Sequence, residues 1–188
     1  MMRQTSRWLS LLLVALLLAT GGGAWAACTD AAAPGVNWRG CLMDAMDLRE
    51  VDLTGADIAN ASFKRADLTG ARLAEVKGRR AKFVSAVLAG ADFSNADLRL
   101  ADFTSADLTG AVLVQADLRA ARFFKAVLRD ADFTGARLER ADLLHADLSG
   151  ARWVDGKTIC AEGSIGRCRR QSAERAAARG KPEVKASP

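Results

Sequence analysis

Ala91 to Leu118 read ADFSN ADLRL ADFTS ADLTG AVLVQ ADL, and what repeats in this stretch decides the fold. Leu or Phe recurs at every fifth position, Ala stands two before it, and Asp is the usual residue between them. A period of five suits neither regular secondary structure. An α-helix turns about 100° per residue, so the Leu and Phe positions would smear around the cylinder without forming an apolar stripe. In a continuous strand an odd step sends each of them to the face opposite the last. The pattern is satisfied when the chain runs extended for a few residues and then turns a corner, once per unit. Ala and Leu, two apart, then point inward together, and the residues between and after them point out. Four such sides close a square coil of about twenty residues, and coils stacked at the strand spacing of about 4.8 Å make a solenoid with a dry interior.

Outward from this stretch the register holds from Cys41 to Trp153 without insertion, with Met43 the first central residue and Trp153 the last. That is roughly twenty-three units, or about five to six coils of an all-β rod on the order of 27 Å long. Phe63, Phe83, Phe103 and Phe123 are twenty apart, so they fall on one side and can stack as an aromatic ladder. Leu48, Leu68, Leu88, Leu108, Leu128 and Leu148 form another column, and Gly70, Gly90, Gly110 and Gly150 share one corner. A three-sided coil would scatter all three sets. The Ala column lies close to the neighbouring side at a corner, where a larger residue would force the wall outward. Met46 and Val51 depart from it near the start, and Val76 is paired with Gly78, which lacks the central side chain. The coil holding Gly78 is the expected weak point.

The residue before each central position faces out, and it is Asp at 52, 57, 67, 92, 97, 102, 107, 117, 132, 142 and 147. A short carboxylate there suits a tight turn, bonds nearby backbone amides and keeps the wall soluble, so the row reads as turn chemistry and not as a catalytic set. The twenty-residue step also makes Asp52, Arg72 and Asp92 vertical neighbours, and likewise Asp132 and Arg152. Such exposed pairs contribute little energy each but help to hold register.

With 188 residues and no Tyr, the chain is sized for one domain with modest tails and a core of small and medium side chains. Arg3 and Arg7, the apolar run Trp8 to Ala19 and the small residues of Ala24-Trp25-Ala26 resemble an export signal cut after Ala26. A retained membrane span ranks below this, because Gly21-Gly22-Gly23 interrupts the run short of the roughly twenty residues a span needs. A lipid anchor on Cys28 also ranks below it, since Trp25 stands where a lipoprotein signal carries a Leu-like residue. All four Cys lie outside the array or at its edge. Cys28 with Cys41, and Cys160 with Cys168, would each close a short loop in an oxidising compartment, although four Cys formally allow three pairings. A metal site is disfavoured by the lack of CxxC spacing and of any nearby His.

These signals divide the chain into a leader over 1–26, an N-terminal cap over 27–40, the repeat array over 41–155, a C-terminal cap loop over 156–170 and a basic tail over 171–188. In the first cap Trp38 sits in register where a central Leu would be. In the second, Trp153, Val154, Ile159 and Ile165 are expected to plug the last coil. In the tail, Ser172 to Arg179 suits one or two helical turns.

The tandem ADLTG, ADFTS, ADLSG and ADLRA units resemble the pentapeptide-repeat proteins over about Cys41 to Trp153. The resemblance implies a right-handed quadrilateral β-helix with the central Leu or Phe and the preceding Ala inward. It says little about function, because the fold hosts many roles. The best understood members mimic DNA and bind type II topoisomerases. This chain departs from them in its export signal and in an array whose acidic and basic residues nearly balance, the net charge of +5 coming from outside the array. Topoisomerase mimicry therefore ranks last, and no nucleic acid is expected as a partner.

No catalytic constellation stands out. His145 is the one His and falls at a corner, and no Ser or Cys nucleophile has a partner at a recognisable spacing. No cofactor is implied. One surface feature asks for a reason: Arg79, Arg99 and Arg119 are twenty apart and should stack on one edge, with Arg80, Lys82, Arg122 and Arg140 close by. Like charges about 5 Å apart repel unless solvated or offset. Either they splay and find Asp97, Asp102, Asp117 or Glu139, or the edge holds an acidic envelope polymer or acidic protein partner. The reading as a whole is an exported, non-enzymatic structural or protein-interaction module of the cell envelope, with an anion-binding module as the alternative. Its rod shape also suits end-to-end pairing of two copies.

Overall fold

The computed structural model describes residues 28–170; residues 1–27 and 171–188, and with them the expected leader and tail, lie outside the described residues. Each five-residue unit contributes one parallel β-bridge to the unit twenty residues on, from Asn37↔Asp57 to Asp132↔Arg152. The ladder thus starts one unit before Cys41, with Trp38 buried in the first central place. The bridges fall into four columns, which we number as walls. The first runs through Asp57, Lys77 and Asp97, the second through Ser62, Lys82 and Asp102, the third through Asp67, Val87 and Asp107, and the fourth through Arg72, Asp92 and Val112.

Between walls the chain turns after the central residue. The Ala56 N–H donates to the Leu53 C=O at 3.0 Å, and the same three-residue step recurs around the coil. The residue before that Ala takes a positive φ, as the third residue of a type II turn does. Sixteen of these residues are not Gly, with φ between 56 and 63°. An L side chain is unfavourable there by about 1–2 kcal/mol. The conformation persists because the same residue's N–H is also needed in the ladder, as when Glu50 donates to the Thr69 C=O at 2.9 Å.

Inside, Phe63, Phe83, Phe103 and Phe123 stack on the second wall with centroids 5.2, 4.9 and 5.0 Å apart and planes within 9° of parallel. Phe93, on the fourth wall, meets Phe83 and Phe103 edge-on at 5.8 and 5.9 Å. The Ala column is fully buried through most of the rod, and among the described residues no buried side-chain N or O lacks a hydrogen-bond partner. Gly78 corrects the expected weak point. A Cβ added there would lie 2.8 Å from Leu98 Cδ2 and 3.6 Å from Ile58 Cδ1, so side chains from the rungs on either side already fill the place. Its backbone also stays in the ladder, donating to the Asp97 C=O at 2.8 Å.

Both ends are pinned by disulfides, Cys28–Cys41 and Cys160–Cys168. A sulfur shared with Cys41 is not available for the lipid anchor on Cys28, which corrects that alternative. Cys41 takes an Ala-column place and is buried, while the Trp38 indole N–H donates to the Asp30 C=O at 3.1 Å. At the other end the chain reverses direction. Arg152 pairs antiparallel with Ile159 and Asp147 with Ile165, so the cap covers the fourth and third walls. Ile165 does not plug the coil. It occupies the outward, bridging position and is 50% exposed, while Ser164, Cys160 and Ala161 face inward. The Ser164 hydroxyl is satisfied there by donating to the Ala161 C=O at 2.6 Å. No described residue pairs above Arg137 or Asp142, and Leu138 and Leu143 are correspondingly only partly buried.

Candidate functional site

The Asp row is occupied by the corners. At Asp52, Asp67, Asp107 and Asp132 one carboxylate oxygen accepts the backbone N–H two residues on, at 2.8–3.0 Å. Where that residue is Thr or Ser its hydroxyl usually joins, as in Thr109 Oγ1 to Asp107 Oδ1 at 2.6 Å. This is the Asx turn with a second donor, and it accounts for the alternation of Asp and Thr along the repeats.

At the corner joining the first and second walls Arg twice stands where Thr or Ser stands on most other rungs, as Arg49 also does after Asp47 on the third wall. Arg99 lies flat on Asp97, its Nε donating to Oδ1 at 2.7 Å and its Nη2 to Oδ2 at 2.6 Å. One coil further on, Arg119 repeats this on Asp117 at 2.8 and 2.6 Å. These bidentate bonds hold the carboxyls of Asp97 and Asp117 below the usual Asp value of 3.8, against the opposing effect of burial. Two members of the Arg column are thus charge-compensated within their own turns.

Several other cations along this corner are not. A groove of about 490 Å³ follows this corner, with Leu100 and Ala120 between the side chains of Arg79, Arg99, Arg119 and Arg140. Arg137 and Glu139 also line it. A second groove of about 330 Å³ continues toward the N-terminal end past Arg79 and Arg80 to Lys77, Asn60 and Arg39. Arg39 pairs with Asp57 at 3.0 Å, and Arg137 reaches Asp117 and Glu139 only at 3.9 Å. Lys77, Arg79, Arg80 and Arg140 have no ion-pair partner among the described residues. Lys82 and Arg122 are not brought to the grooves. They stand on the second wall either side of Asp102, Arg122 reaching its carboxylate at 3.7 Å. Lys77 and Arg39 were not among the residues singled out from sequence; position 77 lies on the same wall column as Asp57 and Asp97, a signal that was available.

His145 is exposed and meets Phe124 edge-on at 5.7 Å. Among the described residues no three His, Cys, Asp or Glu side chains are grouped so as to hold a metal ion, and no helix is long and apolar enough to cross a membrane.

The family model for pentapeptide repeats matches residues 47–77, 81–119 and 116–152, with 8 copies of the unit. No curated protein sequence matches the chain. Among solved structures it is similar to HetL, a pentapeptide repeat protein involved in heterocyst differentiation regulation from the cyanobacterium Nostoc sp. strain PCC 7120. The identity is 28% over 64% of this chain and 78% of that one, with a TM-score of 0.30. It is also similar to alr5209 of Nostoc PCC 7120, at 36% identity over 43% of this chain and 69% of that one, TM-score 0.41. A pentapeptide repeat protein of the Arabidopsis thaliana thylakoid lumen is 20% identical over 69% of this chain and 84% of that one, TM-score 0.30. The repeat ladder and the family match together assign the chain to the pentapeptide-repeat family, whose fold is a right-handed β-helix.

Proposed function

We propose that this chain is an exported, non-enzymatic rod of about five to six coils that works as a structural or protein-interaction module in the cell envelope. The observation that carries the reading is the pair of disulfides, one at each end of a ladder whose interior is dry and whose Asp row is engaged in its own turns. Such bridges persist in oxidising compartments, which fits a leader over 1–26 cut near Ala26 and delivery to the periplasm or beyond. The outer walls then offer a long, regular surface on which an envelope protein can dock. Cell fractionation with thiol labelling tests the location: the chain should reside in the periplasmic or secreted fraction with all four Cys protected. Recovery in the cytoplasm with free thiols would overturn the reading. Cross-linked pull-down from envelope extract should then capture a protein partner.

The second reading is an anion-binding module, favoured by the uncompensated cations of the first corner. It predicts salt-sensitive retention on an anionic matrix that weakens when Arg79 and Arg140 are replaced by Glu.

A further inference from the structure

Charge is segregated on this rod. Residues 28–170 hold twenty-one Lys and Arg against twenty Asp and Glu, a near balance. The two grooves of the first corner are lined by eight Lys and Arg side chains, and the carboxylates that line or pair with them are Asp57, Asp97, Asp117 and Glu139. One edge of four therefore carries an excess of about four positive charges, and the other three share a slight negative excess.

The distribution along the edge is also uneven. Near its middle, Arg99 and Arg119 are neutralised but remain rich in donors, because a guanidinium has five N–H groups and the bidentate bond to Asp uses two. On either side stand uncompensated cations, Lys77, Arg79 and Arg80 toward the N-terminal end and Arg140 toward the C-terminal end. A ligand that fits both kinds of group carries carboxylates and also neutral hydroxyls.

We propose that this edge holds an extended acidic polysaccharide, a polyuronate with one carboxylate per sugar, lying parallel to the rod axis. The proposal rests on the anion-binding reading above and names its ligand. Rungs of the ladder repeat at about 4.8 Å, close to the advance of one sugar in an extended 1,4-linked chain, so successive sugars meet successive rungs. An acidic peptide fits less well. Its same-face side chains repeat at about 6.8 Å, out of step with the rungs, and the wall's backbone groups are already paired with one another and offer no edge for a strand to join. The carboxylate of one sugar meets Lys77, Arg79 and Arg80, which share a rung, and that of a sugar three rungs on meets Arg140, while the sugars between them turn hydroxyls to the outward N–H groups of Arg99 and Arg119 and their carboxylates to solvent. The contact is shallow and polar, so affinity comes from many weak points and falls with salt.

The test uses the purified, oxidised full chain and polygalacturonate as probe, with dextran and poly-glutamate as comparisons, in calorimetric titrations at low and physiological salt. Polygalacturonate should bind, dextran should not, and Lys77→Glu with Arg79→Glu should weaken binding by about tenfold or more. Lys64→Glu with Arg65→Glu, an equal charge change on the next corner, should leave binding within about twofold. Unchanged melting temperatures show that both variants fold. If poly-glutamate binds through the groove and polygalacturonate does not, the polyuronate is overturned while the anion-binding reading stands. If both variants weaken binding equally, or no polyanion binds, both fall.

Discussion

On the second wall Phe63, Phe83, Phe103 and Phe123 occupy four successive rungs with centroids 4.9 to 5.2 Å apart, whereas the first wall sets Ile58, Gly78 and Leu98 on consecutive rungs. Both walls carry the same backbone ladder and enclose the same dry interior. The second fills it by repeating one shape, so each ring meets its like above and below. The first fills it by compensation, a missing side chain on one rung being covered by longer ones on its neighbours. A solenoid therefore tolerates the loss of a central side chain where the adjacent rungs differ from it, and tolerates it poorly where all rungs match.

The largest expected effect breaks the repeating wall. Phe103→Ala removes a ring held between two stacked neighbours and one edge-on contact, none of which can collapse into the gap without breaking the ladder. It should destabilise the fold by about 3–5 kcal/mol in denaturant melts. A loss under about 1 kcal/mol would mean that this wall compensates as the first does.

Next come the bridges that hold the ends. Cys28 and Cys41 are 13 residues apart, and Cys41 lies in the Ala column where the second wall begins. Replacing both with Ser should cost about 2–3 kcal/mol, with the first rungs losing amide-exchange protection before the Phe ladder does.

Gly78→Ala sharpens the comparison from the other side. The added Cβ meets Leu98 Cδ2 at 2.8 Å, so Leu98 must leave its place, and the change should destabilise by about 1–2 kcal/mol although Ala is the family's usual small inward residue. A stabilised variant would restore the notion of an empty site on the first wall.

A smaller change is expected at the corner between the two walls. Leu100 has a φ of 62°, so Leu100→Gly relieves the left-handed strain and should gain about 0.5 kcal/mol after the extra chain entropy is counted. The smallest effect is electrostatic. Asp97 and Asp117 have folded pKa values lowered by Arg99 and Arg119, so their stabilisation is present above the ordinary value of 3.8 and is lost as the pH falls through the lowered values. Melting temperatures followed from about pH 6 to pH 2 should fall more gently in Arg99→Gln with Arg119→Gln than in the parent chain.

Much of this was legible in the residues. The period of five placed each Phe, Leu and Ala, and the twenty-residue spacing of the Phe and Leu columns put them on the correct walls. It also paired Asp52 with Arg72 and Asp132 with Arg152, which lie 3.6 and 3.5 Å apart. The spacing brought Arg79, Arg99 and Arg119 to one edge, but not which of them would be neutralised. Nor did it show that Ile165 faces out, since the C-terminal cap leaves the five-residue register and pairs antiparallel, with Ile165 in the outward bridging position opposite Asp147.

The repeat itself determined the coil, because a small inward residue, a large inward residue and a corner every five positions form a local steric rule that needs no knowledge of distant chain. What lay beyond it was decided by tertiary contact. The reversal over the third and fourth walls, the covering of Gly78 by Leu98 and the flat pairing of Arg99 with Asp97 depend on which group is overhead or alongside once the coils have stacked. Side-chain length and charge permit each of these arrangements, and only the 4.8 Å stacking of neighbouring rungs, about the reach of one side chain, selects among them.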